Sequence, residues 1–182
     1  VLNFIETAAA QKIDIIGFPE MSLTGYTPEV VFSENLNSLM DTSLKQIQKK
    51  CCELNIAAII GHPYKNGYNL YNRASAILPN GQTFIYNKTH LVDLEKKFFT
   101  PGNDLLAFCY RDEKIGVIIC RDQNDPTLCV KLKGKGVKYI YILSAHYYKP
   151  KEARWKIDKN KAIPITRAVE NNVYTLLPNT VG

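Results

Sequence analysis

A layered α/β fold built on a mixed sheet, or on two sheets packed face to face, is predicted by two features of this 182-residue sequence. Short apolar runs recur between stretches of helical periodicity, which reads as buried strands alternating with covering helices. That alternation is interrupted by paired extended runs on either side of Asn80-Gly81 and of Arg111-Asp112-Glu113, so local antiparallel pairs sit inside a βα pattern.

Leu2, Ile5, Ala8 and Ala9 define an opening amphipathic helix, and Ile13 to Phe18 reads as a buried strand. Residues 19–34, rich in Pro, Gly, Thr and Ser, read as a loop. Leu36, Leu39, Met40, Leu44, Ile47, Cys51 and Leu54 then recur at helical spacing. Ile56 to Ile60 is the next strand, stopped by Gly61-His62-Pro63. Tyr68 to Leu78 and Gln82 to Asn87 form a hairpin, and residues 89–103 form a charged loop. Leu105 to Tyr110 and Lys114 to Cys120 form a second pair. Asp125-Pro126 opens a short helix, since Asp caps and Pro is tolerated in the first turn. Val137 to Leu143 is a strand, and residues 152–172 are helical with Pro164 expected to kink or split them. Val173 to Leu177 is the last strand.

Composition narrows the function. At 46% hydrophobic and 22% charged, the chain can bury a real core. The net charge of +6 is dispersed, because the basic stretches Lys131–Lys138 and Lys149–Lys161 are broken by Gly, Pro or acidic residues. Nucleic acid is therefore not an expected partner. Five cysteines without a CxxC pair, and three histidines away from metal-ligand spacing, argue against a disulfide framework and a zinc site. No metal is expected, and the chain suits a reducing, cytoplasmic compartment. No apolar run approaches the ~20 residues that span a bilayer, so no membrane partner is expected. The chain opens at Val1 inside a helix and ends at Val181-Gly182 directly after a strand, as a portion of a longer protein would.

Three reactive side chains each stand where an apolar run stops: Glu20 after Ile13–Pro19, Lys88 after Thr83–Asn87, and Cys120 after Ile115–Ile119. In open α/β sheets chemistry gathers beyond the carboxyl ends of strands. A thiol, a carboxylate to move its proton and an ammonium to stabilise an oxyanion form a kit for acyl transfer that needs no cofactor. Each alone has a plainer reading, as a small core residue for Cys120 or a solvated strand end for Glu20 and Lys88. A Cys-His hydrolase using His62, His90 or His146 is the competing chemistry.

The words around these residues are specific. Phe18-Pro19-Glu20-Met21-Ser22-Leu23-Thr24-Gly25-Tyr26, Tyr86-Asn87-Lys88-Thr89-His90-Leu91 and Gly116-Val117-Ile118-Ile119-Cys120-Arg121-Asp122 resemble, in order, the catalytic blocks of the nitrilase superfamily of carbon–nitrogen hydrolases. Glu95 with Phe98-Phe99-Thr100-Pro101-Gly102, and Arg167 to Asn172 with Tyr174, extend the resemblance over almost the whole chain. It implies a four-layer αββα sandwich lacking its outermost N- and C-terminal elements, as one domain over residues 1–182 that is a partial copy. It also implies Glu20 as general base, Lys88 and the Arg121 N–H as oxyanion donors, and Cys120 as nucleophile. Glu95 would be a second glutamate positioning substrate; otherwise it is a solvated charge among Asp93–Lys97.

The implied activity is hydrolysis of a small linear amide or N-carbamoyl compound through a Cys120 thioester, releasing ammonia without a cofactor. A homodimer or higher homo-oligomer through helices near 125–135 and 152–172 is also implied. The alternatives are a nitrilase acting on a nitrile and a non-catalytic binding module retaining the fold. The first block also resembles glutaminase domains of NAD synthetases, although these 182 residues show no synthetase pattern and the loop around Glu95 lacks their usual composition. Arg121 departs from the family's usual aromatic or acidic residue after Cys120. It is the candidate substrate-binding residue, pairing with a substrate carboxylate, unless its side chain turns to solvent. Cys120 is expected to alkylate faster than the other four thiols at neutral pH.

Overall fold

The computed structural model describes residues 1–180; Val181 and Gly182, the end of the expected domain, lie outside the described residues. Two four-stranded sheets carry the chain. The first has the order β1 (Ile15–Gly17), β2 (Ala57–Asn66), β3 (Asn69–Ile77), β4 (Thr83–Asn87), and only its β1–β2 pair is parallel. The second has the order β5 (Leu106–Tyr110), β6 (Glu113–Ile119), β7 (Tyr139–Leu143), β8 (Tyr174–Leu176), and only its β5–β6 pair is antiparallel.

Period-two alternation along β2 explains how the sheets stack. Ala57 and Ile59 enter the main core with Phe108, Val117, Ile119 and Tyr141 of the second sheet. Ala58 and Ile60 face the other way, into a cluster with Ile5 and Ala8 of α1 (Leu2–Ala10) and Ile47 and Cys51 of α3 (Leu36–Leu54). On the far side of the second sheet, Cys129 and Leu132 of α4 (Pro126–Gly134) pack beneath β6, and α5 (Pro150–Asn171) lies beside α4. Gly116 permits that seat, because a Cβ there would come within 3.1 Å of Leu132. The layers therefore run helices, sheet, sheet, helices, as the resemblance implies. The outer helices expected to mediate self-association leave Val130, Ile165 and Val169 exposed.

Several local expectations change. β2 does not stop at Gly61-His62-Pro63 but runs on to Asn66. Pro63 is tolerated because β1 pairs with β2 only as far as Ile59, which leaves that edge without a strand partner. The longer strand turns back through Gly67, at φ 59°, into a second hairpin with Asn66 opposite Asn69. The 19–34 loop contains a short helix, α2 (Pro28–Val31), and the 89–103 loop contains a 3₁₀ turn at Glu95–Lys97. Pro164 does not split α5. It is buried, and its carbonyl accepts a hydrogen bond from the Thr175 hydroxyl at 3.1 Å, tying the helix to β8. No described helix is long and apolar enough to cross a membrane.

Candidate active site

The loops that follow β1, β4, β6 and β7 meet at one end of the sandwich. Glu20 is held there by a close approach of backbones. The Leu23 amide and Ser22 hydroxyl both donate to the Gly61 carbonyl. A Cβ at Gly61 would stand 2.7 Å from the Met21 nitrogen and 2.8 Å from Glu20 Cα, so only glycine lets the loop lie against β2. Lys88 continues β4, with its amide donating to the Asn72 carbonyl (2.8 Å) and its own carbonyl accepting from Gly102 N–H (2.8 Å). Cys120 ends β6 with φ 44°, a left-handed backbone that turns the strand directly into a 3₁₀ turn over Cys120–Asn124.

Asp122 holds that turn from inside. Fully buried, it accepts hydrogen bonds from Ile119 N–H (2.9 Å) and the Tyr86 hydroxyl (2.8 Å) on one oxygen. The other oxygen accepts from the Thr89 hydroxyl (2.9 Å) and His90 N–H (2.7 Å). One carboxyl thus joins the segment around Lys88 to the turn that presents Cys120. Its pKa is raised, because burial outweighs these donors.

Glu20, Lys88 and Glu95 form one buried cluster. The Lys88 ammonium donates to Glu20 Oε1 and to Glu95 Oε2, each at 2.7 Å. Tyr26 OH lies 2.7 Å from Glu20 Oε1 and 2.9 Å from Glu95 Oε1, and Asn72 Nδ2 reaches the same two oxygens at 2.8 and 2.9 Å. Val92 N–H donates to Glu95 Oε2 (2.9 Å), and Ala145 N–H to Glu20 Oε2 (3.2 Å). Burial would pull the Lys88 pKa down, but Glu20, Cys120 and Glu95 outweigh it and hold the ammonium charged. Burial likewise opposes ionisation of Glu95, and Lys88 with the N–H donors more than reverses that, leaving its pKa lowered. Burial first, then the Glu20 carboxylate, push the Cys120 thiol up to about 12, with Lys88 pulling the other way. Burial and Glu20 together favour the protonated thiol, and Cys52 and Cys109 are exposed while Cys120 is half-buried, both of which run against the expectation that Cys120 alkylates first at neutral pH.

Glu20, Lys88, Glu95 and Cys120 line one cavity of about 630 Å³. Glu20 and Lys88 come from the first sheet, and Cys120 from the second. Arg121 is not among the lining residues. The left-handed turn at Cys120 directs Asp122 inward and leaves Arg121 exposed, where its charge acts on Asp93. The expected carboxylate partner is therefore a solvent-facing side chain. The histidines are committed elsewhere: His62 is buried between the Pro63 carbonyl and Ser75, and His90 sits against Asp122 and Asp125. His146 is half-buried with its pKa lowered by burial, and it does not line the cavity. Tyr26, Asn72, Asp122 and the Ala145 N–H had no assigned part in the sequence reading. Of these, Tyr26 and Asp122 stood inside the quoted blocks, whereas nothing marked Asn72 or Ala145.

A family model described as carbon–nitrogen hydrolase matches residues 1–182. The chain belongs to the carbon–nitrogen hydrolase family. Among relatives in that family, a nitrilase of Pyrococcus abyssi is 33% identical, with 99% of this chain matching 67% of it. An (R)-stereoselective amidase of a Pseudomonas species is 25% identical, and the chain covers 64% of its length. A glutamine-dependent NAD(+) synthetase of Acinetobacter baylyi is 28% identical over 96% of this chain and 32% of its own. The chain thus spans about two thirds of the first and second and a third of the synthetase. Among solved structures, a carbon–nitrogen hydrolase from Helicobacter pylori matches with TM-score 0.88 at 21% identity, covering all of this chain and 66% of that one. An amidase of the nitrilase superfamily from Nesterenkonia matches with TM-score 0.86 at 17% identity over 98% and 68%. These two likenesses establish the shared carbon–nitrogen hydrolase fold.

Proposed function

We propose that this chain hydrolyses the C–N bond of a small linear amide or N-carbamoyl compound, with Cys120 as nucleophile. The observation that carries the reading is the convergence of Glu20, Lys88 and Cys120, from separate strand ends, on the wall of one cavity. Because the thiol is protonated at rest, its proton must leave as the sulfur attacks. Glu20 takes it through Oε2, the oxygen left with a single donor at 3.2 Å, while Oε1 stays tied to Lys88, Tyr26 and Asn72. The Cys120 sulfur bonds to the amide carbon, and the carbonyl oxygen becomes an oxyanion facing the Lys88 ammonium and the Arg121 N–H. Glu20 passes its proton to the nitrogen, the C–N bond breaks, and ammonia leaves a thioester. Glu20 then removes a proton from water, the resulting hydroxide displaces the sulfur, and the thiolate recovers the proton as the acid departs. Glu95 keeps Lys88 oriented from the other side.

The 33% identity to a nitrilase supports a second substrate, a nitrile, on which the same sulfur would form a thioimidate before hydrolysis to acid and ammonia. Ammonia release from simple amides, N-carbamoyl amines, N-carbamoyl amino acids and nitriles separates the two. Turnover is expected on amides or N-carbamoyl compounds and is expected to vanish in Cys120→Ala. Unchanged ammonia release by that variant removes Cys120 as the nucleophile, and none from any of the four classes by the parent protein ends the hydrolase reading in favour of a non-catalytic binding module.

A further inference from the structure

Beyond the reacting groups, the cavity is walled mainly by apolar side chains, and two of them pack against each other on its wall. Phe32 directly follows α2, and Phe98 directly follows the 3₁₀ turn that carries Glu95. Their ring centroids lie 5.1 Å apart at an interplanar angle of 59°. Both rings are about half exposed (46% and 52%), although each adjoins a residue that is fully packed, Val31 and Phe99. Such rings leave apolar area in water that a bound molecule can cover.

Glu20, Lys88 and Glu95 satisfy one another in the buried cluster, and Lys156, the remaining charged residue of the lining, makes a part-exposed pair with Glu152 at 2.7 Å, so among the described residues the wall offers no buried, unpaired cation and anion side by side. An ammonium-carboxylate head group at the far end of a substrate would therefore meet no free pair of opposite charges. An alkyl or aryl chain would meet Phe32, Phe98, Val31, Val92 and Leu94.

We propose that Phe32 and Phe98, packed against each other, form an apolar platform for the acyl chain, and that the substrates are neutral primary amides bearing an apolar alkyl or aryl group. This rests on the hydrolase reading above and narrows its substrate class. Burial of apolar surface sets the size of the effect. The value of kcat/KM is expected to rise about fourfold for each methylene from acetamide through butyramide to hexanamide. Phenylacetamide is expected to exceed glutamine and N-carbamoylglycine by at least about tenfold, roughly what covering one aromatic ring yields.

In Phe98→Ala the preference for hexanamide over acetamide is expected to shrink by about tenfold. Phe98→Leu, which keeps an apolar side chain, should restore most of it. A flat alkyl series, a higher rate on glutamine or N-carbamoylglycine, or an unaltered preference in Phe98→Ala overturns the platform. If no amide turns over, the hydrolase reading fails separately, and the platform is read by ligand-observed NMR on the Cys120→Ala protein. Hexanamide should then bind more tightly than acetamide, and equal binding overturns it.

Discussion

Glu20→Gln is expected to lower amide turnover by about 10²–10⁴-fold while making Cys120 easier to alkylate. The two effects run in opposite directions because the carboxylate does two things to the sulfur. At rest its negative charge, added to burial, keeps the thiol protonated at a pKa of about 12. In the proposed mechanism it is also the group that removes the proton during attack. Replacing it with an amide removes both, so Lys88 and the Ala145 N–H are left to favour the thiolate. Each unit by which the thiol pKa falls raises the thiolate fraction about tenfold at pH 7. Iodoacetamide labelling followed by peptide mass mapping reads this side, and ammonia release reads the other. In the parent protein, labelling should reach the exposed Cys52 and Cys109 before Cys120. Slower Cys120 labelling in Glu20→Gln, or turnover close to that of the parent, would remove Glu20 from the role of base.

Asp122→Ala is expected to cost roughly 3–5 kcal/mol of folding stability, the range reached when a buried polar network loses its centre. Four donors converge on this carboxyl: Ile119 N–H, the Tyr86 hydroxyl, the Thr89 hydroxyl and His90 N–H. Removing it takes the acceptor from the buried Ile119 N–H and leaves the buried Tyr86 hydroxyl with only its longer contact to the Thr89 hydroxyl at 3.3 Å. For a chain of this size the loss corresponds to a fall in Tm of roughly 10 °C. Asp122→Asn, which keeps one acceptor oxygen, should fall between the parent and the alanine variant. Urea unfolding checks the sign and size; a cost below about 1 kcal/mol would mean that water replaces the carboxyl and that it is not the strut described.

Strand ends were the most legible part of the site, because an apolar run that stops at a charged or thiol residue is visible without any fold. Glu20, Lys88 and Cys120 were found that way. Asn72 could not be. It stands between Tyr71 and Arg73 in a strand of ordinary composition, and it reaches Glu20 and Glu95 only because β3 pairs with β2 in a register that sets it opposite Pro63. Tyr26 was visible as part of a motif but not as a bridge, since Glu95, its other partner, is 69 residues away. Arg121 lies exposed and off the cavity wall beside a left-handed Cys120, and the sequence offers no sign of that φ. The extension of β2 past Pro63 was hidden by a sound rule applied to the wrong neighbour, because the pairing edge of β1 ends at Ile59.

Glu20 and Lys88 hang from one sheet and Cys120 from the other, and the two are held in register by side-chain packing, the Asp122 bonds, the Ala145 N–H to Glu20 and the Arg111–Asp14 pair. Catalysis is then a gauge of interlayer slip, since a displacement of about 1 Å between reacting groups can cost on the order of a hundredfold in rate. In rising urea, ammonia release should fade while far-UV ellipticity still reports intact helices and strands. Coincident loss of the two signals would mean that the sheets part only when the whole molecule does.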